Sequence, residues 1–219
     1  MFEPFDKIAV PTTAGTYTIA LHYDIDAAVP DYADDGGLVY LGDARTISAQ
    51  LGDAAHDVAA LLRRHSAAND SLYHHEYRSA AAVARYLKLA YGLAGILEVT
   101  RRGDRYHAEQ PVTDRYRGID GLAWAPADAT TPQDYTRSTV ATYDAWANSE
   151  VYGYIVTGPD DREVHSCWDF YADPDEPLTA DAPHGLAHMV NQARSDIDHD
   201  VATRTEQANS VGAGILGLI

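Results

Sequence analysis

Val151-Tyr152-Gly153-Tyr154-Ile155-Val156-Thr157, then Gly158-Pro159-Asp160-Asp161, then Glu163 to Tyr171, is the stretch that sets the fold class. Two runs rich in β-branched and aromatic residues flank a turn of Gly, Pro and Asp, which is the composition of an antiparallel hairpin. Working outward, a second hairpin is predicted at residues 96–100 and 105–108, around the turn Arg101-Arg102-Gly103-Asp104. Further strands are expected at 16–23, with Tyr17, Ile19, Leu21 and Tyr23 on one buried face, and at 38–41 and 122–125. Residues 24–37 hold Pro30, Gly36, Gly37 and five aspartates, a loop composition.

Helical spacing separates these strands. Leu51, Ala54, Ala55, Val58, Leu61 and Leu62 recur at intervals of three and four over 50–65, and Val83, Tyr86, Leu87 and Ala90 do so over 79–91, where Gly92 terminates the pattern. Thr131-Pro132 opens a helix leading into 136–147, because a capping residue followed by proline suits a first turn. A long helix is expected at 183–207. Antiparallel hairpins with three or four separate helices make the class α+β. The chain reads as a single domain over 1–219, with a weak division near 110–120 and a flexible tail at 209–219.

The 219 residues are 46% hydrophobic and 22% charged, an ordinary globular composition. Lys and Arg total 16 against 33 Asp and Glu, for a net charge of −17, so direct binding to nucleic-acid phosphates is disfavoured. A lone Cys167 excludes an internal disulfide, and no basic start followed by an apolar stretch marks a signal peptide. The longest apolar run, 211–219, is far short of the roughly 20 residues of a membrane span. A cytoplasmic protein without membrane association is the expectation.

The charge is uneven. Residues 1–60 carry 10 acids and 2 bases, 61–142 carry 9 and 11, and 143–219 carry 14 and 3. Two acidic ends flank a near-neutral middle. A dense acidic face can imitate a nucleic-acid backbone and occupy a basic groove on a partner, with attraction that falls with salt. An Asp-rich, Lys-poor composition also suits a high-salt or high-GC host.

The run Thr142-Tyr143-Asp144-Ala145-Trp146-Ala147-Asn148-Ser149-Glu150-Val151-Tyr152-Gly153-Tyr154, followed by Val164-His165-Ser166-Cys167-Trp168-Asp169-Phe170-Tyr171, resembles a family of small acidic proteins encoded by bacteriophages and mobile elements. The family pattern is near YDxYLxGEVYGY, then SCWGFY, then a closing helix, and the likeness spans about residues 122–195. Tyr17-Thr18-Ile19-Ala20-Leu21 and Leu41-Gly42-Asp43 are similar too, and Asp169 stands where the family commonly has glycine. The resemblance implies a mobile-element origin and attaches no settled activity. By analogy with other acidic proteins of such elements, it points to inhibition of host nucleases or restriction and defence complexes.

Several residue groups carry candidate chemistry. Glu150, Tyr152, Tyr154, Cys167, Trp168 and Tyr171 belong to the motif and read either as a pocket lining or as core packing. Cys167 and His165 share a strand face, but a nucleophile needs a third, orienting group that spacing alone does not identify. His184 and His188, four apart on the closing helix, could face one metal, with His199 and Asp196 or Asp200 further along; no HExxH or CxxC accompanies them. His74, His75 and Glu76 form a second polar cluster, and Asp24, Asp26, Asp31, Asp34 and Asp35 lack EF-hand spacing. No phosphate-binding glycine loop is present.

The reading that leads is a protein-binding accessory protein. Its acidic face would comprise Asp160, Asp161, Asp173, Asp175, Glu176 and Asp181, its partner would be a host protein with a basic surface, and no cofactor is required. Pairing of two copies would extend the negative surface. The alternatives are a metal-dependent hydrolase built on His184 and His188, and a virion or assembly accessory protein.

Overall fold

The computed structural model describes residues 3–30, 36–41, 50–70, 80–111, 121–172 and 186–216. In chain order the elements are β1 (Asp6–Thr12), β2 (Gly15–Tyr23), β3 (Gly37–Tyr40), β4 (Gln50–Leu51), α1 (Ala55–Asp70), α2 (Ala80–Tyr91), β5 (Ala94–Arg102), β6 (Arg105–Pro111), β7 (Gly121–Ala125), α3 (Pro132–Ala147), β8 (Val151–Thr157), β9 (Glu163–Tyr171) and α4 (Ala187–Leu216). The strands form two sheets whose pairings are all antiparallel, so the class is α+β, with a long C-terminal helix. The chain divides into two compact units, one of residues 1–27 with 149–219 and one of residues 28–148.

In the 28–148 unit the strand order is β4-β3-β7-β5-β6. Leu38-Val39-Tyr40 and Leu122-Ala123-Trp124 are apolar at every position because both faces of these central strands are covered. Val39, Leu122 and Trp124 pack with Val58, Ala59 and Leu62 of α1 and Leu87 of α2. Leu38, Tyr40 and Ala123 pack on the other side with Val140 and Tyr143 of α3. Gly92, at φ +70°, ends α2, and its N–H donates to the Lys88 carbonyl. The helix expected to begin at residue 50 begins at Ala55, because Gln50 and Leu51 pair with β3 instead. Pro132 does open α3, but the Thr131 side chain makes no cap, and the Tyr135 N–H bonds the Thr131 carbonyl.

In the other unit the order is β1-β2-β8-β9, so segments from the two ends of the sequence are adjacent strands. Tyr17, Ile19 and Leu21 of β2 alternate inward with Tyr152, Tyr154 and Val156 of β8. They pack on Leu186, Met189, Val190, Ala193 and Ile197, the apolar stripe at and beyond the start of α4. Tyr23, expected in this buried set, is 48% exposed at the strand end, where its ring meets Phe5 and Tyr152. Strand β1 had no sequence signal strong enough to find it: Asp6, Lys7 and Pro11 break the pattern, and an edge strand tolerates all three. Helix α4 runs on through Leu216, past the end at 207 that the sequence predicts.

Candidate functional site

The division into units redistributes the charge. The 1–27 and 149–219 unit holds 17 Asp and Glu against 4 Lys and Arg, a net −13, while residues 28–148 hold 16 against 12, a net −4. The two acidic ends of the sequence are therefore one acidic body.

Beside its apolar stripe α4 carries a polar one, Gln192, Asp196, Asp200 and Arg204, each four residues after the last and so on one helix face. Tyrosines of the sheet reach two of these groups. The Tyr17 hydroxyl donates to Asp200 Oδ2 at 2.7 Å, and the Tyr154 hydroxyl donates to Asp196 Oδ2 at 2.5 Å. Arg204 Nε donates to the same Asp200 oxygen at 2.6 Å, and its Nη2 lies 3.4 Å from Asp160 Oδ1. His165 of β9 places Nε2 3.5 Å from Asp196 Oδ2, and Gln192 Nε2 donates to Asp196 Oδ1 at 3.3 Å. A groove of about 310 Å3 opens here, lined by Val164, His165, Asp196, His199, Asp200 and Thr203.

These contacts set the ionisation of the site. Burial pushes the Tyr17 hydroxyl up to about 12, aided by its bond to the Asp200 carboxylate and by that charge. Tyr154 is raised likewise, by burial and then by its bond to Asp196. Burial alone would raise Asp200, but hydrogen bonds from Tyr17 and Arg204, with the guanidinium charge, hold it below the usual carboxylate range. Asp160 is lowered in the same way: burial opposes the shift, and its own backbone N–H and Arg204 outweigh it.

The motif residues divide between the two faces of the sheet. Tyr152 and Tyr154 are core residues on the α4 side, where Cys167 packs beside them, its thiol 3.9 Å from the Trp168 carbonyl. Trp168 lies on the opposite face across Gly153, 40% exposed, with the His22 ring 5.9 Å away. Tyr171 pairs with Val151 at the far end of the hairpin, and Glu150 is half-buried just before β8. Asp161 sits in the β8–β9 turn with φ +58°, and Asp160 is engaged by Arg204 and Arg162. His188 is exposed at the start of α4 with its ring 5.6 Å from Phe170. Asp173, Asp175, Glu176, Asp181 and His184 lie outside the described residues, as do His74, His75, Glu76, Asp31, Asp34 and Asp35.

Among the described residues no three His, Cys, Asp or Glu side chains stand close enough together to hold a metal ion. Among those residues, too, no helix is long and apolar enough to cross a membrane. In the sequence His165 stands out only beside Cys167, and His199, Asp196 and Asp200 only as neighbours of a histidine pair, while nothing marks Tyr17 or Arg204 as site residues. The spacing 192, 196, 200, 204 was the signal that could have gathered the helical half of the groove. No family model matches this chain, and neither the curated proteins nor the solved structures searched give a match.

Proposed function

We propose that this chain is a protein-binding accessory protein of a phage or other mobile element, which docks its acidic 1–27 and 149–219 unit on a basic surface of a host protein. A nuclease or a restriction or defence complex is the partner class, because such proteins carry basic nucleic-acid grooves that an array of carboxylates can occupy. The mobile-element origin rests on the resemblance of the Glu150–Tyr154 and Ser166–Tyr171 motifs. The observation that carries the binding role is the gathering of a net −13 into one compact unit, while the larger unit holds only −4. Net charge of that density steers encounter with a cationic surface and is sensitive to ionic strength.

The test is capture on the immobilised full chain from a host lysate, washed at low and at high salt. A dominant nuclease or DNA-binding protein that is retained at low salt and released at high salt supports the reading. Replacement of Asp161, Asp173, Asp175, Glu176 and Asp181 by Asn or Gln should weaken that capture. Asp160 is left intact because Arg204 and Arg162 already share its charge. Capture that ignores both salt and these substitutions would overturn electrostatic docking.

A further inference from the structure

The polar stripe of α4 repeats one arrangement twice and completes it once. At Asp200 a sheet tyrosine and a guanidinium meet on one carboxylate oxygen: Tyr17 at 2.7 Å and Arg204 at 2.6 Å. At Asp196, one helical turn earlier, the tyrosine is again present, Tyr154 at 2.5 Å, but the residue four positions on is Asp200 itself, so the helix supplies no arginine. The other groups on Asp196 are the Gln192 amide and the His165 imidazole, the latter at 3.5 Å. Asp196 keeps only 14% of its side chain exposed, and no Lys or Arg among the described residues pairs with it. A carboxylate so far withdrawn from water without a full cationic partner is costly, and a guanidinium restores the balance through charge-assisted bonds.

The space for that group is present. The groove of about 310 Å3 runs along Asp196 and Asp200, with His165 on the β9 side and His199 and Thr203 on the α4 side. An arginine fits better than a lysine, since a planar fork can span oxygens one helical turn apart and lie against imidazole faces. We propose that this groove is the receptor for a single arginine side chain of the protein partner, with Asp196 as its counter-charge and the Arg204–Asp200 pair as its internal counterpart. The inference rests on the binding role proposed above and names the chemistry of the partner at one point.

The probe is N-acetyl-arginine N-methylamide, titrated into the full chain and followed by NMR at the His165 and His199 imidazoles and at the Asp196 amide. N-acetyl-lysine N-methylamide and sodium chloride serve as comparisons at equal ionic strength. Saturable shifts are expected with the arginine probe, weaker by about tenfold in Asp196→Asn and by less than about twofold in Asp198→Asn, which removes the same charge from the same helix at an exposed position. His199→Arg, which brings a guanidinium to Asp196 from three residues along the helix, should abolish probe binding while keeping the fold, so the test survives if Asp196→Asn does not fold. Equal response to lysine or salt, or equal loss in Asp198→Asn, would overturn the groove. Partner capture that persists in Asp196→Asn without probe binding overturns the groove alone; probe binding with no captured partner overturns the binding role and leaves the groove standing.

Discussion

Trp168 rests directly on Gly153, its six-membered ring occupying the place a Cβ would need. The two are neighbours across the β8–β9 hairpin, and the ring covers the sheet face turned away from α4, reaching the His22 ring in the next strand. The VYGY and SCW halves of the motif are thus one packing unit, with glycine chosen for space. Gly153→Ala should therefore destabilise by about 1–3 kcal/mol, as overpacking does. The same change made in a Trp168→Ala background should cost under about half as much, and urea unfolding of the four proteins of that cycle measures the coupling.

Asp169 stands next in the strand at φ +64°, beside the bulge where residues 168 and 169 interrupt the pairing of Tyr152 with Phe170 and Tyr154 with Cys167. A left-handed backbone strains any residue with a Cβ, though Asp tolerates it better than most. Asp169→Gly should gain up to about 1 kcal/mol and keep the bond from the residue 169 N–H to Asp24 Oδ2 at 3.4 Å, whereas Asp169→Val should lose more than that. A thermal midpoint for Asp169→Gly below that of the parent chain would contradict this account.

How much of this was legible follows from how local each signal is. The hairpins, α2 and the start of α3 are written in turn residues and periodicity a few positions apart, and they stand where the sequence places them. The joining of residues 1–27 with 149–219 into one unit is not local: it depends on β2 pairing with β8, Leu21 opposite Tyr154. The groove shows the same split. Asp196, Asp200 and Arg204 follow from helical spacing, but the Tyr17–Asp200 bond joins residues 183 apart and the Tyr154–Asp196 bond residues 42 apart, which no window on the sequence spans.

The Tyr17–Asp200–Arg204 cluster gives stability two opposite pH limbs. Asp200 titrates lower in the fold than the unfolded value of about 3.9, so its contribution is complete above that value and is lost as pH falls through the folded one. Tyr17 is raised to about 12 from an unfolded value near 10, so its contribution is complete below 10 and is lost as pH rises between about 10 and 12. Tyr17→Phe should make the alkaline limb shallower, leaving the part that Tyr154 and Tyr143 carry, and Asp200→Asn should make the acid limb shallower, leaving the part that Asp160 and Glu109 carry. Each group helps to shift the other, so each variant should act chiefly on its own limb and weakly on the opposite one, which unfolding free energies measured across both ranges check.

Asp144 of α3 ties the β5–β6 hairpin to its helix, and its partners differ in how far they are withdrawn from water. Its Oδ1 accepts the Tyr106 backbone N–H at 2.6 Å and the Asn148 side chain at 3.1 Å, while Oδ2 accepts Arg105 at 3.1 Å. The Arg105 side chain is 47% exposed, so its ion pair is screened and Arg105→Ala should cost less than about 1 kcal/mol. Asp144→Ala leaves the Tyr106 N–H without its acceptor beside a buried ring that packs edge-on with Tyr40 and Tyr143. That loss should reach about 2–3 kcal/mol. Asp144→Asn can keep its carbonyl oxygen on the Tyr106 N–H but turns an amide donor toward Arg105, losing that bond and the charge, so its cost should fall between the two. Urea midpoints ranking Arg105→Ala as the most damaging of the three would mean that the ion pair, and not the backbone bond, holds the hairpin to α3.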